Sequence, residues 1–164
     1  MQTFYTTEKS VQIVVALLKA HGIRKIIASP GTTNITLVAS LQCDPFFEMY
    51  SAADERSAAY MACGLAVESG EPVVLSCTGA TASRNYIPAL TEAFYRKIPV
   101  LAITSTQNTE KVGHLVPQVI DRGEQLSDIV RYSTNVPAIT DDSQIWGCEI
   151  KVNNALLELT RHGG

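Results

Sequence analysis

The 164-residue sequence lacks an excess of basic residues and lacks any apolar run of membrane-spanning length. Its 13 Lys and Arg against 16 Asp and Glu give a net charge of −3, which argues against the broadly basic surface of a nucleic-acid-binding protein. A membrane-spanning helix needs about 20 apolar residues, and the polar N-terminus does not resemble a signal peptide. We therefore expect a cytoplasmic protein that binds neither nucleic acid nor membrane.

Metal-binding and common nucleotide-binding motifs are also missing. The 4 cysteines include no CxxC pair and have no nearby histidine, which predicts reduced, mostly buried thiols. There is no HExxH and the 3 histidines are far apart, so a zinc site is not expected. GxGxxG after the first strand, the P-loop motif and GxSxG are absent, so dinucleotide, P-loop nucleotide and GxSxG-hydrolase interpretations have no support.

The composition that is present predicts one globular domain, 1–164, with a substantial core. It is 46% hydrophobic and 18% charged, within the range of folded domains. The hydrophobic period switches between strand and helix in units of about 25–30 residues, which is typical of a parallel sheet. Strands are predicted at 25–28, 47–50, 72–76, 100–104 and 132–136. The predicted fold is α/β, a parallel sheet with helices on both faces.

The chain ends directly after its last predicted helix, at Gly163 and Gly164. A turn of this kind normally leads into another strand. We therefore expect a sheet that is truncated before its last strand, and a chain that is a fragment of a longer multi-domain protein.

The most clearly marked helix begins after Ser51 and ends at Gly70. Ser51 and Asp54 fit a capping box, so Asp54 is expected to cap the helix and Arg56 to be a solvated charge. The small residues of this helix allow other elements to approach closely, which predicts a central position. Its core-facing residues are predicted to be Ala58, Met61, Ala62, Leu65 and Ala66.

Two strand-to-helix loops and one carboxylate are candidates for a site, because open α/β sheets bind ligands at the carboxyl ends of their strands. Glu55 lies in the first turn of the marked helix. From local sequence alone, the loops are equally consistent with tight turns and helix caps, and Glu55 with a surface acid that complements the helix dipole. The candidate loop residues are Pro30, Gly31, Thr78, Gly79 and Asn85.

Four segments taken together resemble the N-terminal, pyrimidine-binding (Pyr) domain of thiamine-diphosphate-dependent enzymes. This superfamily includes acetolactate synthases, SEPHCHC synthases and 2-keto acid decarboxylases. The segments are GIRKIIASPG ending at Gly31, DERSAAYMACGLA from Asp54, TGATASRN ending at Asn85, and IPVLAIT from Ile98. No single segment is decisive, but all four occur in the expected order and cover nearly the whole chain.

The resemblance implies a catalytic role for Glu55. In this family the glutamate at the matching position hydrogen-bonds N1′ of the cofactor's aminopyrimidine and promotes the 4′-imino tautomer, whose nitrogen removes the thiazolium C2 proton. Such chemistry needs a carboxyl group that holds a proton in a desolvated pocket, and a helix of Ala, Gly and Cys supplies close apolar walls. The helix dipole acts in the opposite direction, because it favours the charged carboxylate in the first turn.

The resemblance also implies roles for the candidate loop residues. Pro30 and Gly31 match a loop that lies against the cofactor's pyrimidine side, Thr78 and Gly79 fall where a substrate- or cofactor-facing residue is placed, and Asn85 matches a cofactor-binding asparagine that opens the helix after the third strand. His114 lies near the region where the decarboxylases carry a paired-histidine motif. This sequence has one histidine there and not two, which argues against a pyruvate-decarboxylase-like role. His114 therefore stays open as either a substrate-contacting residue or an ordinary loop histidine.

One half of the family's cofactor site is missing from the sequence. The family binds the diphosphate and Mg²⁺ through a PP domain that carries GDG followed by NN, and no GDG occurs here. The resemblance thus implies the pyrimidine half of a carboligase or decarboxylase acting on a 2-keto acid, with a PP domain in cis or on a partner chain. It also implies a homodimer or higher oligomer and an inactive isolated chain. A separate Pyr subunit of a two-chain decarboxylase and a non-catalytic dimerisation module remain alternatives.

Overall fold

The structure, a computed structural model, describes residues 6–79, 81–122 and 125–161. Its four strands form one parallel sheet in the order β2-β1-β3-β4. In the register of the sheet, Ile26 lies opposite Met49 on one side and Val74 on the other. This confirms the predicted parallel α/β sheet, whose carboxyl ends share one edge. The strands are β1 (Lys25–Ala28), β2 (Glu48–Ser51), β3 (Val73–Thr78) and β4 (Val100–Ser105).

The helices connect and cover these strands. Short 3₁₀ turns occur at Thr32–Asn34 and Thr109–Lys111. No helix in the described ranges is both long and apolar enough to cross a bilayer. The helices are α1 (Lys9–Ala20), α2 (Ile35–Gln42), α3 (Glu55–Ser69), α4 (Thr81–Arg84), α5 (Ile87–Arg96) and α6 (Ser143–Glu158).

Two separate cores lie on the two faces of the sheet. Successive strand residues point to opposite faces, so Leu75 packs toward α3 and α5 while Val74 packs toward α1, α2 and α6. Both side chains are fully buried, and each contributes roughly 1.5–3 kcal/mol of hydrophobic stabilisation. The prediction of helices on both faces is confirmed, and β3 is apolar throughout because it is covered on both sides.

The sequence located α3 and most of its buried face, with Ala58, Ala62 and Ala66 buried and Leu65 packed against the same core; Met61 is the exception. The buried residues of this helix are small and lie three or four positions apart. Met61 is 46% exposed, which contradicts its predicted place in the core, because only side chains of alanine or cysteine size let the helix approach the sheet so closely. The residues of α3 that face the core are Ala58, Ala59, Ala62, Cys63 and Ala66.

The N-terminus of α3 has a single cap. Asp54 is the N-cap residue, and its Oδ1 accepts the amide of Ser57 at 2.7 Å, as predicted. Arg56 is exposed, also as predicted. The capping box that included Ser51 is wrong, because Ser51 is the last residue of β2, paired with Ala28, and Asp54 is itself the N-cap of α3 and not its third residue.

The strand predicted at 132–136 does not form. Residues 132–136 are irregular, and the sheet ends at β4 within the described residues. Val136 and Ile139 pack instead against the core beneath α1 and α6. A strand needs a neighbouring strand to hydrogen-bond with as well as apolar residues. This segment contributes apolar side chains to the core but pairs with no strand among the described residues.

Candidate functional site

A buried asparagine holds the loop after β1 against β3. Asn34 is 0% exposed, and its Oδ1 accepts the amide of Gly31 at 2.8 Å. Its Nδ2 donates to the Ser29 carbonyl at 3.2 Å and to Ser76 Oγ at 3.1 Å. The Ser29 amide donates in turn to the Ser76 carbonyl at 2.8 Å. One side chain therefore determines the path of the loop at the carboxyl edge of the sheet.

Gly31 is in direct contact with the end of β3. Its φ of −163° is ordinary extended backbone, so glycine is not required for its conformation. Space is the reason for glycine here, because a Cβ on Gly31 would lie 2.3 Å from Thr78 Cγ2. Two of the candidate loop residues, Gly31 and Thr78, are therefore packed against one another.

The end of β4 is hydrogen-bonded to the loops that follow β1 and β3. The Gly79 amide and the Thr33 hydroxyl both donate to the Ser105 carbonyl, each at 2.7 Å. A Cβ on Gly79 would lie 2.7 Å from Thr106 Cγ2 and 3.2 Å from the Ser105 carbonyl oxygen. The connections that follow β1, β3 and β4 are thus held together by hydrogen bonds and close packing at the carboxyl edge of the sheet.

Glu55 is the first residue of α3 and is half-buried. It precedes Ala58 and Ala59 by three and four positions, so its side chain leaves the helix on the face that packs in the core. Tyr86 and Cys77 belong to the same core. The Glu55 carboxylate makes no hydrogen bond or ion pair with any described residue, which leaves it available to a ligand.

Two buried titratable groups lie within electrostatic reach of Glu55. Burial raises the pKa of the Cys77 thiol to about 11, and the negative charge of Glu55 adds to the rise. Burial also raises the pKa of Tyr86 well above its ordinary value, with further contributions from Cys77 and from Glu55. Because burial is the largest cause of both shifts, the environment of these two groups is poorly solvated, and both stay neutral at physiological pH.

Two hydroxyl groups of this region are buried without a hydrogen bond of regular geometry. Tyr86 is 1% exposed and Ser29 is 3% exposed. Within the part of the chain that the structure describes, neither hydroxyl oxygen makes such a bond, although Ser29 and Cys77 lie close enough to the Tyr86 hydroxyl to influence its pKa. Unpaired buried hydroxyls are uncommon in folded proteins, and here they concentrate at the carboxyl edge of the sheet.

The remaining candidates lie farther out or have local roles. Pro30 is exposed. Asn85 was expected to open the helix after β3, but it lies between α4 and α5. Its side-chain amide donates to the Thr81 carbonyl at 3.3 Å. His114 is exposed on the connection after β4, and no hydrogen bond among the described residues joins its side chain to the interlocked loops.

Several residues of the site carried no predicted role. Asn34 follows Gly31 at the spacing of an asparagine-capped turn, so that local pattern was a usable signal. Ser76 and Tyr86 sit inside apolar segments, where the sequence does not distinguish them from packing residues.

Comparisons with known proteins identify the family. The model of the thiamine pyrophosphate enzyme N-terminal TPP binding domain matches residues 9–126. The chain is 38% identical over 159 residues to the 2-succinyl-5-enolpyruvyl-6-hydroxy-3-cyclohexene-1-carboxylate synthase of Bacteroides thetaiotaomicron, with 97% of this chain and 29% of that protein covered. It is 39% identical over 157 residues to the synthase of the same name from Porphyromonas gingivalis, with 95% of this chain and 27% of that protein covered.

Solved structures show the same fold. A thiamine diphosphate-dependent 4-hydroxybenzoylformate decarboxylase from Rhodococcus jostii RHA1 superposes with a TM-score of 0.75 at 20% identity, covering 90% of this chain and 27% of that one. Benzoylformate decarboxylase from Polynucleobacter necessarius gives a TM-score of 0.59 at 22% identity, covering 66% of this chain and 20% of that one. The chain spans less than a third of the length of the curated relatives it matches. On its sequence and its fold together, the chain belongs to the thiamine pyrophosphate enzyme family and corresponds to its N-terminal, thiamine pyrophosphate-binding domain.

Proposed function

We propose that the chain is the pyrimidine-binding half of a thiamine-diphosphate-dependent carboligase or decarboxylase that acts on a 2-keto acid. The observation that carries this proposal is the position of Glu55. Its carboxyl group is half-buried at the carboxyl edge of the sheet and makes no hydrogen bond or ion pair with the described residues. The names of the curated relatives favour a carboligase, whereas the decarboxylases support the fold alone.

The residues of the site fit the pyrimidine ring of this cofactor. When bound, thiamine diphosphate would supply a nucleophilic thiazolium carbon for reaction at the keto group. Glu55 would hold a proton at N1′ of the aminopyrimidine, in a setting where the neighbouring thiol and phenol are neutral. The interlocked loops that contain Gly31, Thr78 and Gly79 form one wall of the proposed site, where they are closely packed and hydrogen-bonded. Pro30, directly before Gly31, and Asn85, between α4 and α5, complete the set of proposed cofactor contacts.

The diphosphate end of the cofactor needs a second domain. In residues 6–79, 81–122 and 125–161, no group of three His, Cys, Asp or Glu side chains is placed to hold a metal ion. We therefore assign Mg²⁺ and the diphosphate to a PP domain, in cis within a longer chain or on a partner chain. The proposal also includes a homodimer or higher oligomer in the cytoplasm, and it assigns His114 to contact with the substrate.

Replacement of Glu55 by Gln in the intact enzyme tests the proposal. The amide keeps the size of the side chain but lacks the transferable proton, so turnover of a 2-keto acid should fall by at least about 10²-fold. Hydrogen–deuterium exchange at C2 of bound thiamine diphosphate, followed by NMR, should slow in parallel. The melting temperature should stay close to that of the wild type.

Arg56→Gln is the matched control, because Arg56 lies beside Glu55 in the same helical turn and is exposed. This variant should keep both the turnover and the C2 exchange rate. If C2 exchange in Glu55→Gln equals the wild-type rate, Glu55 is not the activating acid and the proposal fails.

A further inference from the structure

Tyr86 is held at the start of α5 with its ring in the core on the α3 side of the sheet. It is the N-cap residue of α5, and its backbone carbonyl accepts the amide of Leu90 at 2.9 Å. The side chain is 1% exposed and belongs to the same core as Ala58 and Ala59, which lie one helical turn beyond Glu55 in α3. The helix and the core together fix the direction in which the ring points.

The hydroxyl group of Tyr86 lies at the carboxyl edge of the sheet. Burial raises the pKa of Tyr86, the Cys77 thiol and the charge of Glu55 add to the rise, and Ser29 opposes it. Cys77 is the next-to-last residue of β3, and Ser29 directly follows β1. Glu55 begins α3 shortly after the end of β2. All the groups that influence this hydroxyl therefore come from the ends of strands or from the helix that follows one.

The Tyr86 hydroxyl is available as a hydrogen-bond donor. It is buried and makes no hydrogen bond of regular geometry with the described residues, whereas the Cys77 thiol donates to the Thr78 carbonyl at 3.0 Å. The Glu55 carboxylate also makes no hydrogen bond with a described residue. The hydrogen of a phenol rotates to suit an acceptor, so a donor and an acceptor without regular partners lie within electrostatic reach of each other.

Solvent decides how much this donor contributes. Glu55 is half-buried, so water solvates its carboxylate while the site is open. A ligand that covers Glu55 excludes this water, and a carboxylate left without any donor is strongly destabilised. A hydrogen bond to an ionised acceptor is about twice as strong as a neutral one, and a low dielectric strengthens it further. The Tyr86 hydroxyl therefore contributes little while Glu55 is open to solvent and much once Glu55 is covered.

We propose that Tyr86 is a positioning residue whose hydroxyl donates a hydrogen bond to the Glu55 carboxylate once the aminopyrimidine of the cofactor covers Glu55. This inference rests on the proposed function and adds a second residue to it. Tyr86 acts through Glu55 and does not itself touch the cofactor. Because the donor stabilises the charged form of Glu55, it favours residence of the shared proton on N1′ of the aminopyrimidine.

Cofactor affinity tests the proposal in the intact enzyme. Titration calorimetry with thiamine diphosphate and Mg²⁺, without substrate, should show that Tyr86→Phe weakens binding by at least about 10-fold, the scale of a lost hydrogen bond to a charged group. Without the cofactor, this variant should melt at or slightly above the wild-type temperature. Tyr95→Phe is the matched control, because Tyr95 is exposed on the same helix, α5, and it should leave the affinity unchanged.

A double-mutant cycle shows whether Tyr86 acts through Glu55. In a Glu55→Gln background the ionised acceptor is gone, so Tyr86→Phe should change the affinity by less than about 2-fold. A general disturbance of the core would weaken binding equally in both backgrounds. Equal weakening in the two backgrounds, or wild-type affinity in Tyr86→Phe, would overturn the proposal.

The position of the shared proton gives a readout that does not depend on affinity. With ¹⁵N-labelled thiamine diphosphate at saturation, the N1′ resonance in Tyr86→Phe should move from its wild-type position towards that of the unprotonated free cofactor, because Glu55 then retains the proton more strongly. Tyr95→Phe should keep the wild-type resonance. An N1′ resonance that is the same in Tyr86→Phe and the wild type would contradict the inference, whatever the affinities.

The inference and the proposed function fail separately. Coupling between Tyr86 and Glu55 together with wild-type C2 exchange in Glu55→Gln would keep the contact and remove the catalytic role of Glu55. Slow C2 exchange in Glu55→Gln without any coupling would keep the role of Glu55 and remove that of Tyr86.

Discussion

Gly31 and Thr78 are packed so closely that a Cβ on Gly31 would lie 2.3 Å from the γ-methyl carbon of Thr78. The contact joins the loop after β1 to the end of β3. Together with the Asn34 hydrogen bonds, it makes the carboxyl edge of the sheet rigid without any ligand. A rigid edge is what a cofactor site needs if its acid is to be held in a fixed position.

Gly31→Ala should destabilise the intact protein by about 1–3 kcal/mol, because the new methyl group overlaps Thr78. Urea-induced unfolding measures the change. Gly64→Ala is the control, since Gly64 lies within α3 and a Cβ there meets nothing within 4 Å. That substitution should stabilise the protein by up to about 1 kcal/mol, from the higher helix propensity of alanine.

The clash itself is tested by a double variant. Thr78→Ser removes the γ-methyl group, so adding it to Gly31→Ala should recover most of the lost stability. Equal stability of the single and double variants would show that the contact with Thr78 is not the cause.

Asn34→Ala should lower the free energy of unfolding by about 2–4 kcal/mol, because it leaves the Gly31 amide and the Ser29 carbonyl without their partner. Urea denaturation measures the loss. Asn154→Ala, at an exposed position of α6, should change stability by less than about 0.5 kcal/mol. A similar effect for the two variants would contradict the role assigned to Asn34.

Cys77 should make stability depend on pH in the alkaline range. Its thiol has a pKa of about 11 in the folded protein, against an ordinary value of 9.0, so the unfolded chain loses this proton first. The contribution of the protonated Cys77 thiol to stability is fully present below about pH 9 and is lost as the pH rises towards 11. The free energy of unfolding, measured from pH 8 to 11, should therefore fall more steeply with pH for the wild type than for Cys77→Ala. Cys43→Ser, at an exposed thiol, should keep the wild-type slope.

Tyr86→Phe should leave stability unchanged or raise it by up to about 1 kcal/mol, because the deleted hydroxyl is buried and makes no hydrogen bond of regular geometry with the described residues. Thermal unfolding measures the shift. Tyr95→Phe, on the exposed side of α5, is the control and should have no effect. A loss of more than about 1 kcal/mol for Tyr86→Phe would mean that the hydroxyl is hydrogen-bonded in the folded protein.

The sequence by itself determined the parallel sheet, the bounds of β1, the burial of β3 and the Asp54 cap of α3. Each of these follows from residues that are close together in the chain. A run of apolar residues makes a buried strand, and an aspartate before a helical pattern satisfies the free amides of the first turn. The motifs that led to Glu55 are also short, local segments.

Only the tertiary structure decided that Met61 of α3 stays exposed, whether the segment at 132–136 becomes a strand, and which groups meet at the carboxyl edge. Met61 fits the buried face by its spacing, but the side chains of α3 that pack in the core are those of alanine and cysteine, with Leu65 partly buried beside them. The contact of Gly31 with Thr78 and the hydrogen bond from the Thr33 hydroxyl to the Ser105 carbonyl join segments far apart in sequence. Local propensity carries no information about such pairs, because their energies exist only once the sheet has brought the segments together.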